Sequence, residues 1–267
     1  MSKPKKPKRG SSSGGPSTSR AQASSQQEDR AEEMESTQTQ TQRDSLSKKN
    51  FDQMDPKLQE KKVCEVVRYL LCAQGRSVPV KKKELIDKVI TSQHSRALLS
   101  ILSHANDRLQ EVFGLEIKKI KRGSVESIIL VNKLPASLTG ELLKWSKADK
   151  SRVGLLSVVL ALIMMKQGRM SEEHLWSCLG RLKLSRDGMK HSTFGDVGRI
   201  ISKEFVEELY LDREKQVVGD GHAFSYRWGP RANEEVDRVN LLQFVAETYG
   251  ADVATWQRHF EQTSGQD

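Results

Sequence analysis

Six positively charged side chains between residues 181 and 203 are the ones in this sequence best suited to binding a ligand. They are Arg181, Lys183, Arg186, Lys190, Arg199 and Lys203. The only acidic residues in the same stretch are Asp187 and Asp196. Ammonium and guanidinium groups bind phosphate oxygens and read little base sequence. We therefore predict contact with the backbone of duplex DNA, while charge alone leaves a merely solvated surface as the alternative.

Two further basic clusters lie earlier in the chain and offer comparable charge. They are Lys81 to Lys83, and the group Lys118, Lys119, Lys121 and Arg122. We favour the 181–203 stretch over these clusters. The helices preceding each predicted hairpin hold no array of Asn, Gln and Arg that could read base edges, so we predict weak sequence preference.

Catalytic and metal-binding patterns find little support. The histidines form no HExxH or HxH pattern, and no nucleophile elbow or phosphate-cradling glycine loop is present; the six are His94, His104, His174, His191, His222 and His259. Cys64, Cys72 and Cys178 have no metal-binding spacing, and we expect buried thiols in a reducing compartment. We predict no catalytic residue, no cofactor and no metal, and therefore a protein that is not an enzyme.

Charge is distributed unevenly along this basic chain of 267 residues, whose net charge is +9. Residues 57–133 hold sixteen Lys and Arg against eight Asp and Glu, whereas residues 232–267 hold two against seven. Residues 153–165 form an uncharged run, which is too short for a bilayer span of about eighteen or more residues and predicts a buried helix. The basic start from Lys3 to Arg9 is of the kind read by nuclear import receptors.

The stretch 194–232 reads as a helix followed by a hairpin. Apolar residues at helical spacing predict a buried stripe on the helix: Val197, Ile200, Ile201, Phe205 and Leu209. Gly219 to Gly221 suits a tight turn, after which Phe224, Tyr226 and Trp228 alternate as in a strand. With helices over 151–167 and from Ser171, this predicts a winged helix.

The same order of elements occurs earlier in the chain. A helix from Asp55-Pro56 to Gly75, a short edge strand at 78–80, two helices and a hairpin around Gly123 predict a first winged helix. The fold class is therefore mainly α with small β wings (α+β), as tandem winged-helix domains. The expected divisions are a disordered tail 1–50, winged helix 57–133, linker 134–150, winged helix 151–231, helical cap 232–260 and tail 261–267.

Several stretches resemble the MAGE homology domain, a tandem pair of winged helices. They are WGPRA at Trp228 to Ala232, EFVEELYLDRE at Glu204 to Glu214, FGD at Phe194 to Asp196, GLLSVVLALIMMKQG, and KVCEVVRYLLCAQGRSVPVKKKELIDKVI. The resemblance extends from about Leu58 to Phe260. Within the family, the short basic N-terminus and simple layout are similar to the members that serve as a non-SMC subunit of the structural maintenance of chromosomes five/six complex.

The resemblance implies a cofactor that stimulates a RING-type ubiquitin ligase. For that type of member it also implies a kleisin partner docked on the second winged helix, SMC proteins reached through the kleisin, and duplex DNA, in a nuclear, chromatin-associated repair complex. It implies neither membrane nor small-molecule substrate. The family's dileucine for RING binding matches Leu70 and Leu71, although the residue pattern alone favours two core leucines. Adjacent helical positions are about 100° apart, so one of the two could face a partner.

Two other functions stay open on the sequence. One is a sequence-specific winged-helix transcription factor, and the other is a MAGE-type ubiquitin ligase adaptor acting away from chromatin.

Overall fold

The computed structural model describes residues 41–134, 146–186, 190–218, 221–254 and 256. A helix at 41–52 (α1) precedes the first unit. The first unit then consists of α2 (Pro56–Gln74), β1 (Val80–Lys81), α3 (Lys82–Leu85, continued by π-helical Ile86–Ile90), a 3₁₀ turn (Ser92–Ala97), α4 (Leu98–Phe113), β2 (Leu115–Arg122) and β3 (Val125–Asn132).

The second unit repeats this order. It consists of α5 (Lys147–Met165), β4 (Arg169–Ser171), α6 (Glu172–Arg181), α7 (Val197–Arg199, π-helical Ile200–Glu204 and Phe205–Glu207), β5 (Leu211–Val218) and β6 (Gly221–Trp228). Two further helices follow, α8 (Pro230–Glu235) and α9 (Arg238–Tyr249).

Each unit holds a three-stranded antiparallel sheet in which the short first strand pairs with the last. The strand orders are β1-β3-β2 and β4-β6-β5. Val80 lies opposite Ile128 in the first sheet, and Met170 lies opposite Tyr226 in the second. The predicted fold class, tandem winged helices with small β wings, is confirmed.

The cores form where the helical periodicity predicts them. On α7, Val197, Ile201 and Phe205 are all buried, because residues three or four apart share one helix face. The uncharged run of α5 lies in the core of the second unit through Val159, Ile163 and their neighbours. No helix in the described part of the chain is long and apolar enough to cross a membrane.

The helix α1 is a correction to the tail that we expected to be disordered through residue 50. Ser47 is buried, and its hydroxyl accepts a hydrogen bond of 3.0 Å from the backbone N–H of Ser100. Phe51 is also buried and stacks on His104, with 4.6 Å between ring centroids. The average composition of the tail did not indicate this helix, because its anchor is a single aromatic residue at its end, Phe51. Residues 1–40 lie outside the described residues.

Other predictions differ in detail. On α4, helical spacing predicts an inward stripe from Leu98 to Phe113, but the stripe ends early, because Val112 and Phe113 are exposed. On α9, helical spacing predicts four inward residues, of which Leu242 and Val245 are buried, whereas Val239 and Phe244 are exposed. Leu241 and Ala246 are also buried on that helix.

The connection between the units is also shorter in the structure than the predicted 134–150 linker. Helix α5 begins at Lys147, behind a capping box in which the Ser146 hydroxyl and the Asp149 carboxylate each accept from the other's backbone N–H. Within that linker the apolar residues Leu142, Leu143 and Trp145 predict a helical turn. This turn and the hairpin turn at 219–220 lie outside the described residues.

A buried arginine joins the two units. Arg231, on α8, is 2% exposed. It donates to Glu235 Oε1 at 2.8 Å within its own helix, and across to the first unit at the Ser77 carbonyl oxygen, 2.9 Å away, and Gln74 Oε1, 3.4 Å away. Its guanidinium also lies over the Tyr210 ring at 4.9 Å. Each of these contacts compensates for the removal of the charge from water.

The WGPRA motif builds this joint residue by residue. The Trp228 indole N–H donates to the Leu160 carbonyl at 2.9 Å, which fixes the end of β6 on α5. A Cβ at Gly229 would lie 2.3 Å from the Leu209 carbonyl oxygen, so only glycine allows this approach. Pro230 starts α8 and directs Arg231 to the first unit. Beside it, Leu209 packs with Ile120, Ile129 and Val131 of the first sheet.

Truncation of Phe51 tests the docking of α1. We expect Phe51→Ala to lower the free energy of unfolding by about 3 kcal/mol, because it removes a buried aromatic ring from its seat on α4. Leu46→Ala, on the same helix but exposed, is the control and should change it by less than about 0.5 kcal/mol. Urea denaturation of both variants measures the difference. Equal effects would show that α1 does not pack on the first unit.

Replacement of Arg231 tests the joint. Arg231→Met should destabilise the protein by about 3 kcal/mol, because Glu235 and the Ser77 carbonyl lose a buried charged partner. Arg238→Met is the control: this exposed arginine lies over Trp228 at 5.1 Å, and its loss should cost about 1 kcal/mol or less. Thermal or urea unfolding reports both values. If Arg231→Met leaves the stability unchanged, Arg231 does not join the two units.

Candidate functional site

The basic residues of 181–203 lie on α6, on α7 and on the segment that joins these two helices. Arg181 ends α6, and Lys183, Arg186 and Lys190 lie in the segment after it. Arg199 lies in the first turn of α7, and Lys203 follows four residues later. All six are exposed: Arg181, Lys183, Arg186, Lys190, Arg199 and Lys203. All six predicted residues are therefore accessible to solvent, and we call them the basic edge of the second unit.

The FGD segment holds this edge together. His191 and Gly195 exchange two backbone hydrogen bonds, of 2.7 and 2.8 Å, and Gly195 has a positive φ of 74°. The Asp196 carboxylate then caps α7 by accepting from the Arg199 N–H at 2.9 Å. A Cβ at Gly198 would lie 2.7 Å from the Arg186 carbonyl oxygen, so glycine lets this loop lie directly on the first turn of α7.

Ion pairing leaves most of this charge available. Arg186 lies 3.5 Å from Glu172, and Arg199 lies 3.4 Å from Glu204. The other four form no ion pair with the described residues: Arg181, Lys183, Lys190 and Lys203. An exposed cation without a carboxylate partner keeps its full charge for a phosphate.

The basic clusters of the first unit are more fully paired. Lys82 and Lys121 share the Glu126 carboxylate, at 2.7 and 3.8 Å. Lys118 lies between Glu116 and Glu234, and Arg122 pairs with Asp212 of the second unit at 3.1 Å. Lys81, Lys83 and Lys119 are exposed and form no ion pair with the described residues. This contrast supports the second unit as the stronger anion-binding surface.

The dileucine on α2 divides between core and surface. Leu70 is 2% exposed and belongs to the core of the first unit, whereas Leu71 is half-buried at its edge. Cys72 and Arg68, close to Leu71 on α2, are exposed. Of the predicted RING-binding pair, Leu71 is thus the side chain that a partner could reach without unfolding α2.

A groove of about 650 Å³ lies between the two units. Its apolar lining joins the ends of α4 and β3 of the first unit to the first turns of α5. The exposed apolar side chains in it are Phe113, Leu134 and Val153. Asp149, Arg152, Val153 and Leu156 all line it, at the spacing of one helix face. Exposed apolar surface of this kind is typical of a protein-binding site.

Charged groups surround the floor of this groove. Arg152 pairs with Glu204 and with Glu208, the latter at 2.5 Å, and lies over the Phe205 ring at 5.0 Å. The Tyr210 hydroxyl donates to Glu235 at 2.6 Å. Burial, with a contribution from Glu235, raises the pKa of Tyr210 far above its usual value, so it remains a neutral donor.

The cysteines differ from expectation. Cys64 and Cys72 are exposed rather than buried, and Cys178 is half-buried. The eight-residue spacing of the first two put them on one face of α2, but that face is the solvent face. Among the described residues, no three His, Cys, Asp or Glu side chains lie close enough together to hold a metal ion.

Sequence reasoning missed two features. The groove is built from residues of both units, and its sequence signal is the apolar Phe113 at the end of α4, which helical spacing predicts to face the core. The second is the contact of Arg186 with Glu172 and, through it, with Arg213 of the wing, at 3.0 Å. No pattern in the sequence connects residues so far apart.

Comparison with known proteins gives consistent matches. Residues 66–239 match the MAGE homology domain. The chain is 32% identical over 249 residues to "Non-structural maintenance of chromosomes element 3 homolog" of Mus musculus. The aligned residues make up 92% of this chain and 82% of that protein. It is 34% identical to "Melanoma-associated antigen B4" of Mus musculus over 74% of this chain, but spans only 34% of that longer protein.

A solved structure agrees with the sequence matches. A chain of the "Nse1-Nse3-Nse4 complex" superposes with a TM-score of 0.72 at 32% identity, over 79% of this chain and 100% of that one. Together with the match over 66–239, this shows that the chain belongs to the MAGE homology domain family.

Proposed function

We propose that this chain is a non-catalytic subunit of an SMC five/six-type chromosome maintenance and DNA repair complex. It binds and stimulates a RING-type ubiquitin ligase subunit, binds a kleisin, reaches SMC proteins through the kleisin, and holds duplex DNA. The observation that carries the proposal is the similarity to the element 3 homolog over 92% of the chain, with the fold of a chain in the Nse1-Nse3-Nse4 complex. A nuclear, chromatin-associated location follows from this role.

Leu71 is the residue that we assign to the RING subunit. It lies half-buried on α2, where a leucine contributes apolar contact area to a partner and still packs on the core. Leu70, the preceding residue, is buried in the core and fixes this part of α2. The dileucine therefore combines a partner contact with the packing that fixes its position.

The groove between the units is the surface that we assign to the kleisin. Its walls include α5 of the second winged helix, and Val153, Phe113 and Leu134 expose apolar side chains in it. An amphipathic helix binds such a groove through side chains at helical spacing. The groove depends on both units, so its shape is fixed by the Arg231 joint.

The 181–203 surface is the one that we assign to DNA. Helix α7 is basic in its first turns, at Arg199 and Lys203, and acidic at its end, at Glu207 and Glu208. Deep insertion of the whole helix into a groove would place these carboxylates near phosphates. The arrangement favours contact through the N-terminal end of α7 and the preceding loop, which supports backbone binding over base reading.

Co-purification of the full chain from nuclear extract tests the two protein surfaces. We expect Leu71→Ala to lose the RING subunit and retain the kleisin, and Val153→Glu to lose the kleisin and retain the RING subunit, since each change removes apolar contact on one surface. Mass spectrometry identifies the proteins that remain.

Each of these two variants serves as the control for the other. Leu70→Ala is unsuitable, because truncating a buried leucine costs about 2–5 kcal/mol of stability. If the wild-type chain recovers neither a kleisin nor an SMC protein, the complex-subunit proposal is wrong, and an adaptor acting away from chromatin replaces it.

Charge reversal tests the DNA surface. The triple variant Arg181→Glu, Lys190→Glu and Lys203→Glu should weaken binding to a duplex by at least about tenfold and flatten its salt dependence, because phosphate contacts are lost. Fluorescence anisotropy across a salt series measures both. The matched control is Lys81→Glu, Lys83→Glu and Lys119→Glu, the same charge change on exposed lysines of the first unit. If the control variant loses more affinity for the duplex, the DNA-binding surface lies on the first unit instead.

A further inference from the structure

A buried carboxylate connects three elements of the second unit. Glu172, the first residue of α6, is 6% exposed. Its carboxylate accepts from the Tyr226 hydroxyl at 3.0 Å and from Arg213 Nη2 at 3.0 and 3.2 Å. Arg186 Nη2 lies 3.5 Å from Oε2 of the same carboxylate. One acidic group therefore holds two guanidinium groups and a phenol.

The two arginines belong to different elements of the second unit. Arg186 belongs to the loop whose backbone lies on the first turn of α7. Arg213 belongs to β5 in the wing, and its guanidinium stacks on the Phe224 ring at 3.8 Å. Glu172 thus links the loop beside α7 to the hairpin, although Arg213 is 41 residues away in sequence.

Charge and donors remain available at this position. Two guanidinium groups share one carboxylate, which leaves one positive charge in excess. The Arg186 side chain is 54% exposed and the Arg213 side chain 26%. Arg213 Nη1 forms no hydrogen bond with the described residues. A guanidinium carries five N–H donors in a fixed plane, so an arginine held on one edge presents its other edge to a phosphate.

Tyr226 favours the same arrangement. It is fully buried, and burial, together with the charge of Glu172, raises the pKa of Tyr226 far above its usual value. At any pH below this raised pKa, the hydroxyl stays protonated and donates to Glu172. A buried carboxylate needs such donors to remain in place.

We propose that Arg186 and Arg213 form a two-guanidinium site for phosphodiester oxygens of the DNA backbone, with Glu172 as the positioning residue that holds the pair. The site extends the 181–203 surface onto the wing, and the inference rests on the proposed DNA binding. Without the shared carboxylate, the two like charges repel each other and lose their common geometry. The ligand is any duplex, because backbone oxygens carry no base sequence.

Glu172 gives the proposal a test with a definite sign. Electrostatics alone predicts that removing a carboxylate from a DNA-binding surface strengthens binding. A positioning role predicts the reverse, since Glu172→Gln keeps the shape but releases the two arginines. Binding of the full chain to a fluorescent duplex is measured by anisotropy over a salt series, with thermal unfolding as the check on folding.

We expect Arg213→Gln to weaken binding about tenfold and to lower the slope of log affinity against log salt by about one phosphate contact. The matched control is Arg227→Gln on the other face of the same hairpin, an arginine that is more exposed than Arg213 and pairs with Glu214. It should change affinity less than about twofold. Glu172→Gln should weaken binding as Arg213→Gln does, and the double variant should be no weaker than Arg213→Gln alone.

Equal effects of Arg213→Gln and Arg227→Gln, or tighter binding by Glu172→Gln, would overturn the proposal. If Glu172→Gln does not fold, Arg186→Gln replaces it: this exposed change should match Arg213→Gln, and a silent result overturns the two-arginine site. The proposed function fails separately, when the wild-type chain does not bind duplex DNA. Wild-type binding that depends on Arg181, Lys190 and Lys203 but not on Arg213 rejects this inference alone.

Discussion

The burial of the Arg231 guanidinium between the two winged helices is the constraint on which the other surfaces depend. A charged group removed from water needs hydrogen-bond partners, and Arg231 finds them in both units, at Glu235 and at the Ser77 carbonyl. These partners therefore favour the relative position in which the two units are observed. The apolar contact of Leu209 with the first sheet buries further area at the same joint.

The joint separates the proposed functions in space. The groove lies between the units and changes shape if they move, whereas Leu71 on α2 and the basic edge on α7 each belong to one unit. A protein bound in the groove therefore contacts the same joint that sets the relative position of the other two surfaces. This arrangement suits a scaffold, because one subunit can hold several partners at fixed distances without any catalytic group.

Much of the fold could be predicted from the sequence, because each unit is built from local patterns. Helical spacing correctly identified Val197, Ile201 and Phe205 as buried, and Gly and Pro marked the ends of α2 and β6. The same spacing failed at Phe113 and Phe244, which are apolar but exposed. Periodicity shows that a helix has an apolar stripe, but it does not show whether the whole stripe meets the core or a partner.

The candidate sites show where sequence reasoning stops. Counting charges led us to favour the stretch 181–203, whose six Lys and Arg side chains are all exposed. The count alone does not show that Lys82, Lys118 and Lys121 are paired with carboxylates from other elements.

The availability of a charge is a tertiary property, because it depends on which carboxylate the folded chain brings near. Glu172 shows this most clearly: it reads as an ordinary first-turn residue of α6. Only the folded sheet places Arg213 of the wing against it and makes one acidic side chain the support of two basic ones. At the proposed DNA surface we therefore expect binding to depend less on the number of arginines than on the group that orients them.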